Sequence, residues 1–225
     1  MSHAHVRRHP LARHALAAAL ALVAGACAPP AAPAQSAAPA PAPATRPTPA
    51  PKPPTAVPAM DLAGQKVLVL PAQAVSGIPQ RREDVTREVL FALGERDTRT
   101  RWIDPDRLRA ALLRAPGYAD DPDALPAESF QHHRERYMQG GLGSIVRRYS
   151  ALMDARLVLI PQAAQWLPSA DGASGTVRLT AVMVDARSSN VVWYGEADGA
   201  PRPTPDAAAL ATAAAALAAA MVIAR

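Results

Sequence analysis

The residues with reactive or metal-binding side chains are few in this 225-residue chain, and their spacing limits what they can do. The run His132-His133-Arg134-Glu135, close to Asp120, Asp121 and Asp123, holds the side-chain types that bind zinc or act as general acid and base. Adjacent His132 and His133 point apart in regular structure, however, and no HExxH spacing follows, so a solvated polar loop is expected there and no metal site. Gly140-Gly141-Leu142-Gly143-Ser144 opens a helix and could offer backbone amides to an anion. It follows no strand and lacks the lysine of a phosphate-binding loop, which leaves a hinge before the helix. Ser144, Ser150 and Ser174 have neither a glycine elbow nor a neighbouring base, so no nucleophile is assigned. Trp166 and Trp193 stand at or beside strand ends, where an indole either anchors a partner or packs on the sheet. The expectation is a protein without catalytic residues, metal or cofactor, with Trp166 and Trp193 as the candidate partner contacts.

The remaining reactive group is Cys27, the one cysteine of the chain. Without a second thiol it forms no intrachain disulfide. Arg7, Arg8 and Arg13 precede the uncharged stretch 15–26, a positive segment followed by an apolar one shorter than the roughly 20 residues that span a bilayer. Ala24, Gly25 and Ala26 are small enough for a signal peptidase, and after the cysteine the composition turns abruptly to Ala and Pro. This resembles a bacterial lipoprotein signal, with Ala24 where that signal usually carries Leu. The resemblance implies that residues 1–26 are a signal peptide that is removed, and that Cys27 becomes the first mature residue with a diacylglycerol, and hence palmitate, on its thiol. Ala28 in place of Asp after the cysteine implies the outer membrane, with the protein anchored on its periplasmic side. An ordinary secretory signal that leaves a free thiol is the alternative.

The whole chain carries a net charge of +5 and a pI near 10, which would suggest nucleic acid or an anionic surface. The distribution contradicts the total. Arg7, Arg8 and Arg13 lie in the leader and Arg46 and Lys52 in the proline-rich stretch, whereas from residue 59 onward 18 Arg and Lys66 face 19 acids. A nucleic-acid binder concentrates its cations on the folded part, so that partner is not expected. From residue 28 to 58 nearly three residues in four are Pro or Ala and none is acidic, a composition that cannot bury a core. Such a segment favours polyproline II at about 3.1 Å per residue, a spacer with a reach on the order of 90 Å. The division expected is therefore a signal at 1–26, an acylated cysteine and spacer at 27–58, and a single domain at 59–225.

Within that domain KVLVLP at 66–71 reads as a strand buried on both faces. Val85, Val89 and Leu93 recur every four residues from Arg82 to Arg96, an amphipathic helix. A short strand at 100–103 leads to Asp104 and Pro105, an N-cap with proline at the first helical position, and Leu108, Ala111 and Leu112 give the next helix its buried stripe. After the proline-interrupted segment 116–141 a helix runs to about Met153, followed by strands at 156–160, 176–185 and 191–194. Thr204-Pro205-Asp206 caps a last helix. Residues 207–224 carry no charge, but alanine adds little transfer energy, and the stripe Leu210, Ala214, Leu217 and Met221 suits a helix lying on a sheet rather than in a bilayer. The order βαβααβββα is an α/β layered fold, one mixed sheet of about five strands with helices packed on it.

The segments DARLVLIPQAAQWL at 154–167 and SGTVRLTAVMVDARSSNVVWYGEADG at 174–199 resemble the small α/β domain shared by LpoB, the amino-terminal domain of TolB, the core of CsgG and related proteobacterial lipoproteins. Asp154 to Leu159, Val177 to Asp185 and Val191 to Trp193 take the places of that family's three motif strands, and Lys66 to Pro71 fits its opening strand. Ser188-Ser189-Asn190 replaces the family's glycine-containing turn, and no alternating insertion suited to a transmembrane hairpin is present. The resemblance implies a non-catalytic module that docks on or regulates an envelope machine, with cell-wall synthesis as the LpoB-like case. A subunit of a homo-oligomeric or transporter-accessory complex is the alternative.

Overall fold

The uninterrupted apolar run at the start of the domain forms strand β1 (Lys66–Val69), and its burial on both faces explains why it does not alternate. The computed structural model describes residues 58–125, 137–138 and 140–223. In chain order β1 is followed by β2 (Ala74–Ser76), α1 (Arg82–Arg96), β3 (Arg101–Ile103), α2 (Pro105–Arg114), α3 (Gly140–Met153), β4 (Leu157–Pro168), β5 (Gly175–Asp185), β6 (Asn190–Asp198) and α4 (Ala207–Met221). The strands make one six-stranded mixed sheet in the order β3-β1-β4-β5-β6, with β2 also paired to β4. β1 runs parallel to β3 and β4, β2 runs parallel to β4, and β4, β5 and β6 form an antiparallel meander.

The sheet is the middle of three layers. Val67, Val69, Leu159, Leu179, Ala181 and Met183 face a core shared with α1 and α4, while Leu68, Leu70, Val158, Ile160, Val182 and Val184 face one shared with α2 and α3. This is the α/β layered fold expected, with the Val177, Leu179, Ala181 and Met183 stripe on one face and all four stripe residues of α4 buried. The strand count differs from the expected five or so because β2, only three residues long, pairs in line with β1 along the same side of β4. β4 also continues well past 160, through Pro161 to Pro168. Proline is tolerated inside a strand at a bulge, and the β4–β5 register shifts between Pro161 and Ala163.

Helix starts follow their side chains. Asp104 Oδ1 accepts from the Asp106 amide at 2.6 Å with Pro105 in the first turn, and Asp206 Oδ1 accepts from the Ala209 amide at 2.8 Å. α4 has 15 residues, and among the described residues no helix is long and apolar enough to cross a membrane. Its alanines let it approach the chain closely at Gly199, where a Cβ would stand 2.7 Å from Thr212 Oγ1 and 2.8 Å from the Ala213 nitrogen.

Candidate functional site

Cys27, the spacer up to residue 57, His132, His133, Arg134 and Glu135 lie outside the described residues. The acids near the histidines are described, and they build the loop after α2. Asp123 is gripped by Arg109 through Nε and Nη2, both at 2.7 Å, and Asp121 Oδ1 accepts from the Asp123 amide at 3.0 Å. The Arg109 hydrogen bonds hold the Asp123 carboxyl below the usual carboxylate range. The Asp120 carbonyl takes a 2.7 Å hydrogen bond from the Tyr149 hydroxyl, tying the same loop to α3. Among the described residues no three His, Cys, Asp or Glu side chains are grouped to hold a metal ion. The glycine-rich run forms the first turn of α3, and Gly143 is buried beneath the β5–β6 turn, where a Cβ would lie 3.3 Å from Ser189 Oγ.

The two tryptophans separate. Trp193 is 2% exposed and belongs to the core against α1 and α4, so it is not available to a partner in this fold. The reason is register: Trp193 pairs with Met183, on the face covered by α4, and its ring lies over Gly195, where there is no side chain to displace it. Trp166 is half-buried. Its ring rests on Gly175, where a Cβ would stand 2.5 Å from the indole, and its Cβ would be 3.0 Å from a Cβ at Gly77, whose φ of +70° also favours glycine. These two glycines, which periodicity in the sequence does not single out, fix the Trp166 ring while leaving part of it at the surface.

On the opposite face the far half of the meander is polar. Gln165, Glu196 and Asp198 are exposed, and Thr176, Arg178 and Thr180 are half-exposed. Arg178 binds Asp198 through two hydrogen bonds of 2.6 and 2.8 Å, which raise its own affinity for a proton and lower that of Asp198. At the near end of the sheet the register sets basic residues side by side on adjacent strands: Lys66 pairs with Arg101, and Arg156, one residue before the Val67–Leu157 pair, stands next to Lys66 on the other side. Arg147, Arg156 and Arg187 line an open pocket of about 260 Å³ there with Ser150 and Asp154. The even charge balance of the domain conceals this grouping in the sequence, since the arginines come from three separated segments.

No protein-family model matches the chain, and no curated protein matches it in sequence. Solved structures similar to it include the C-terminal domain of LpoB from Escherichia coli, at 13% identity and a TM-score of 0.40, covering 62% of this chain and 84% of that one. The NMR structure of Escherichia coli LpoB matches at 14% identity and a TM-score of 0.40, covering 90% of this chain and 96% of that one. A PelC dodecamer from Paraburkholderia phytofirmans matches at 13% identity and a TM-score of 0.40, covering 75% of this chain and 96% of that one. LpoB, to which the residues at 154–199 bear a resemblance, is thus among the solved structures to which this chain is similar.

Proposed function

We propose that the chain is a lipid-anchored envelope protein in which Cys27 carries the acyl group, residues 28–58 act as a stiff spacer, and the domain from residue 59 docks without catalysis on an envelope protein. The observation that carries this reading is the place of the one cysteine. It stands where a short apolar segment ends and the Pro/Ala-rich segment begins, after three small residues. The outer membrane, periplasmic side, is the proposed location, because Ala28 and not Asp follows the cysteine. Cell-wall synthesis machinery is the partner class that the LpoB-like motifs imply. The half-exposed Trp166, held by Gly77 and Gly175, supports a docking contact on that part of the sheet.

A second reading, self-association, is favoured by β3 and β6, which stand at the two ends of the strand order. Radiolabelled palmitate tests the anchor. Label on the wild-type chain that disappears in Cys27→Ala, together with loss of the chain from the outer-membrane fraction, is the expected result; label that persists in Cys27→Ala sinks the reading. Proximity cross-linking from position 166 in the native envelope tests the docking. Capture of a cell-wall synthase supports it, and a ladder of self-multimers supports the second reading in its place.

A further inference from the structure

We propose that the pocket at the end of the sheet where β1 begins is an anion site that takes a phosphate group. Three guanidinium groups reach it from three elements: Arg147 from α3, Arg156 just before β4, and Arg187 from the β5–β6 turn. The local charges do not cancel. Asp185 is bonded by Arg156, with Nε at 2.7 Å, and Asp154 by Lys66, so four cations meet two carboxylates and an excess of two remains. Among the described residues Arg147 and Arg187 are ion-paired with no carboxylate, and Arg147 reaches the neutral Ser189 hydroxyl at 3.0 Å. Asp154, the acid that lines the pocket, is held in its ionised form first by Lys66 and then by the fields of Arg187 and Arg101.

Arginines near a helix C-terminus often serve to cap its free carbonyls. Here the chain itself meets part of that need, at the Ser150 and Ala151 carbonyls. The Ser150 carbonyl accepts from the Ala155 amide at 3.0 Å, the Ala151 carbonyl accepts from the Asp154 amide at 3.4 Å, and the Ser150 hydroxyl donates to the Ala155 carbonyl at 2.6 Å. Arg147 and Arg187 are therefore left facing the pocket without a carboxylate partner, beside the Arg156 that Asp185 holds. A guanidinium fork matches carboxylate and phosphate oxygens alike, but the two unpaired forks of Arg147 and Arg187, arriving from separate elements beside the charge of Arg156, suit the tetrahedral group, which offers oxygens in several directions. The cavity of about 260 Å³ has room for a phosphate and part of what it is attached to. The phosphate source is either a lipid headgroup or a soluble phosphate compound.

The test uses the mature chain from position 27 carrying Cys27→Ala, so that neither an acyl group nor the apolar, arginine-bearing leader inserts into vesicles. Thermal unfolding is followed with inorganic phosphate and with sodium chloride at equal ionic strength, and binding to vesicles of phosphatidylglycerol or of phosphatidylcholine alone is measured by co-sedimentation. Phosphate is expected to raise the Tm saturably where chloride does not. Arg147→Gln with Arg187→Gln is expected to weaken half-saturation about tenfold or more without lowering the Tm in chloride, since both side chains are exposed. Arg148→Gln, exposed on the same helix but outside the pocket, should respond to phosphate like the parent. Binding to phosphatidylglycerol vesicles that inorganic phosphate competes away assigns the site to a headgroup; stabilisation by phosphate without vesicle binding assigns it to a soluble ligand. A phosphate response that is absent, equal to that in chloride, or equally lost in Arg148→Gln overturns the proposal.

Discussion

At Gly175 the backbone runs so close beneath Trp166 that no side chain fits. An added Cβ would lie 2.5 Å from the indole and 2.7 Å from the Leu167 carbonyl oxygen, and the carbonyl, unlike the ring, cannot rotate away. Gly175→Ala is therefore expected to cost about 1–3 kcal/mol, read as a lower urea midpoint at unchanged slope. Gly141→Ala makes the contrast. It is exposed in α3 with nothing within 4 Å of a Cβ, so it should raise stability by up to about 1 kcal/mol through helix propensity alone. Equal effects at the two sites would mean that Trp166 is not seated as described. The same contrast shows what single residues reveal before folding is known. The role proposed for Cys27 is argued from its neighbours alone, because a processing signal acts as a linear segment. The tryptophans cannot be told apart that way, because both sit in apolar strands and only cross-strand register sends Trp193 into the core and leaves Trp166 at its margin.

For the elements, periodicity works where a helix or strand carries its own pattern. α1, with Val85, Val89 and Leu93, occupies the residues its spacing predicts, and Asp104 and Asp206 cap the helices they precede. It fails where pairing supplies what local preference does not. β2 is a three-residue Ala-Val-Ser segment that exists by pairing with Ala163 to Gln165, and the second half of β4 crosses a proline and two alanines because β5 accompanies it throughout. The basic pocket was likewise invisible, since antiparallel pairing of β4 with β5, which joins Leu157 to Asp185, brings Arg187 beside Arg156 and Arg147 although they lie in separate segments of the chain. α4 tests the packing side of this account. Ala213 is fully buried and its nitrogen lies close to Gly199, so Ala213→Leu has no space to enter and is expected to destabilise by about 1–3 kcal/mol or more. Ala215→Leu, on the exposed side, should change stability by less than about 0.5 kcal/mol. Asp206→Ala removes the cap and should cost about 1 kcal/mol, with the circular dichroism of the folded state retained. A bilayer helix would instead gain membrane partitioning from either leucine, which co-sedimentation of the Cys27→Ala chain with vesicles measures.

Taken as a whole, the domain fastens its layers and strands with arginine–carboxylate pairs that share one pH dependence. Arg109 binds Asp123 between α2 and the following loop, Arg156 binds Asp185 between β4 and β5, and Arg178 binds Asp198 between β5 and β6. The partner arginine lowers the proton affinity of Asp123 and Asp198. At Asp185 burial pushes upward, but the Arg156 hydrogen bond and the Arg187 and Ser188 amides together outweigh it. A carboxyl whose folded affinity lies below its unfolded one stabilises the fold above the ordinary value near about 4, and that contribution is lost as pH falls through the folded value. At the other end Tyr149, buried under α3, has its phenol pushed up by burial and then by the charges of Asp120, Asp121 and Asp123. Its proton is held more tightly in the folded state, so its contribution is complete below about pH 10 and is lost as pH rises beyond it. Thermal stability is thus expected to fall on the acid side through these carboxyls and on the alkaline side through Tyr149. Tyr149→Phe separates the two limbs: it should lower the Tm at neutral pH by the loss of the hydrogen bond to the Asp120 carbonyl, worth about 1 kcal/mol, yet make the decline above pH 10 shallower. Arg156→Gln should act on the acid limb instead, since Asp185 then keeps its backbone amides but loses its cation: stability at neutral pH should be lower and the decline below about pH 4 shallower than in the parent. Alkaline curves that coincide for Tyr149→Phe and the parent would place the phenol in water and contradict the packing of α3 on the sheet.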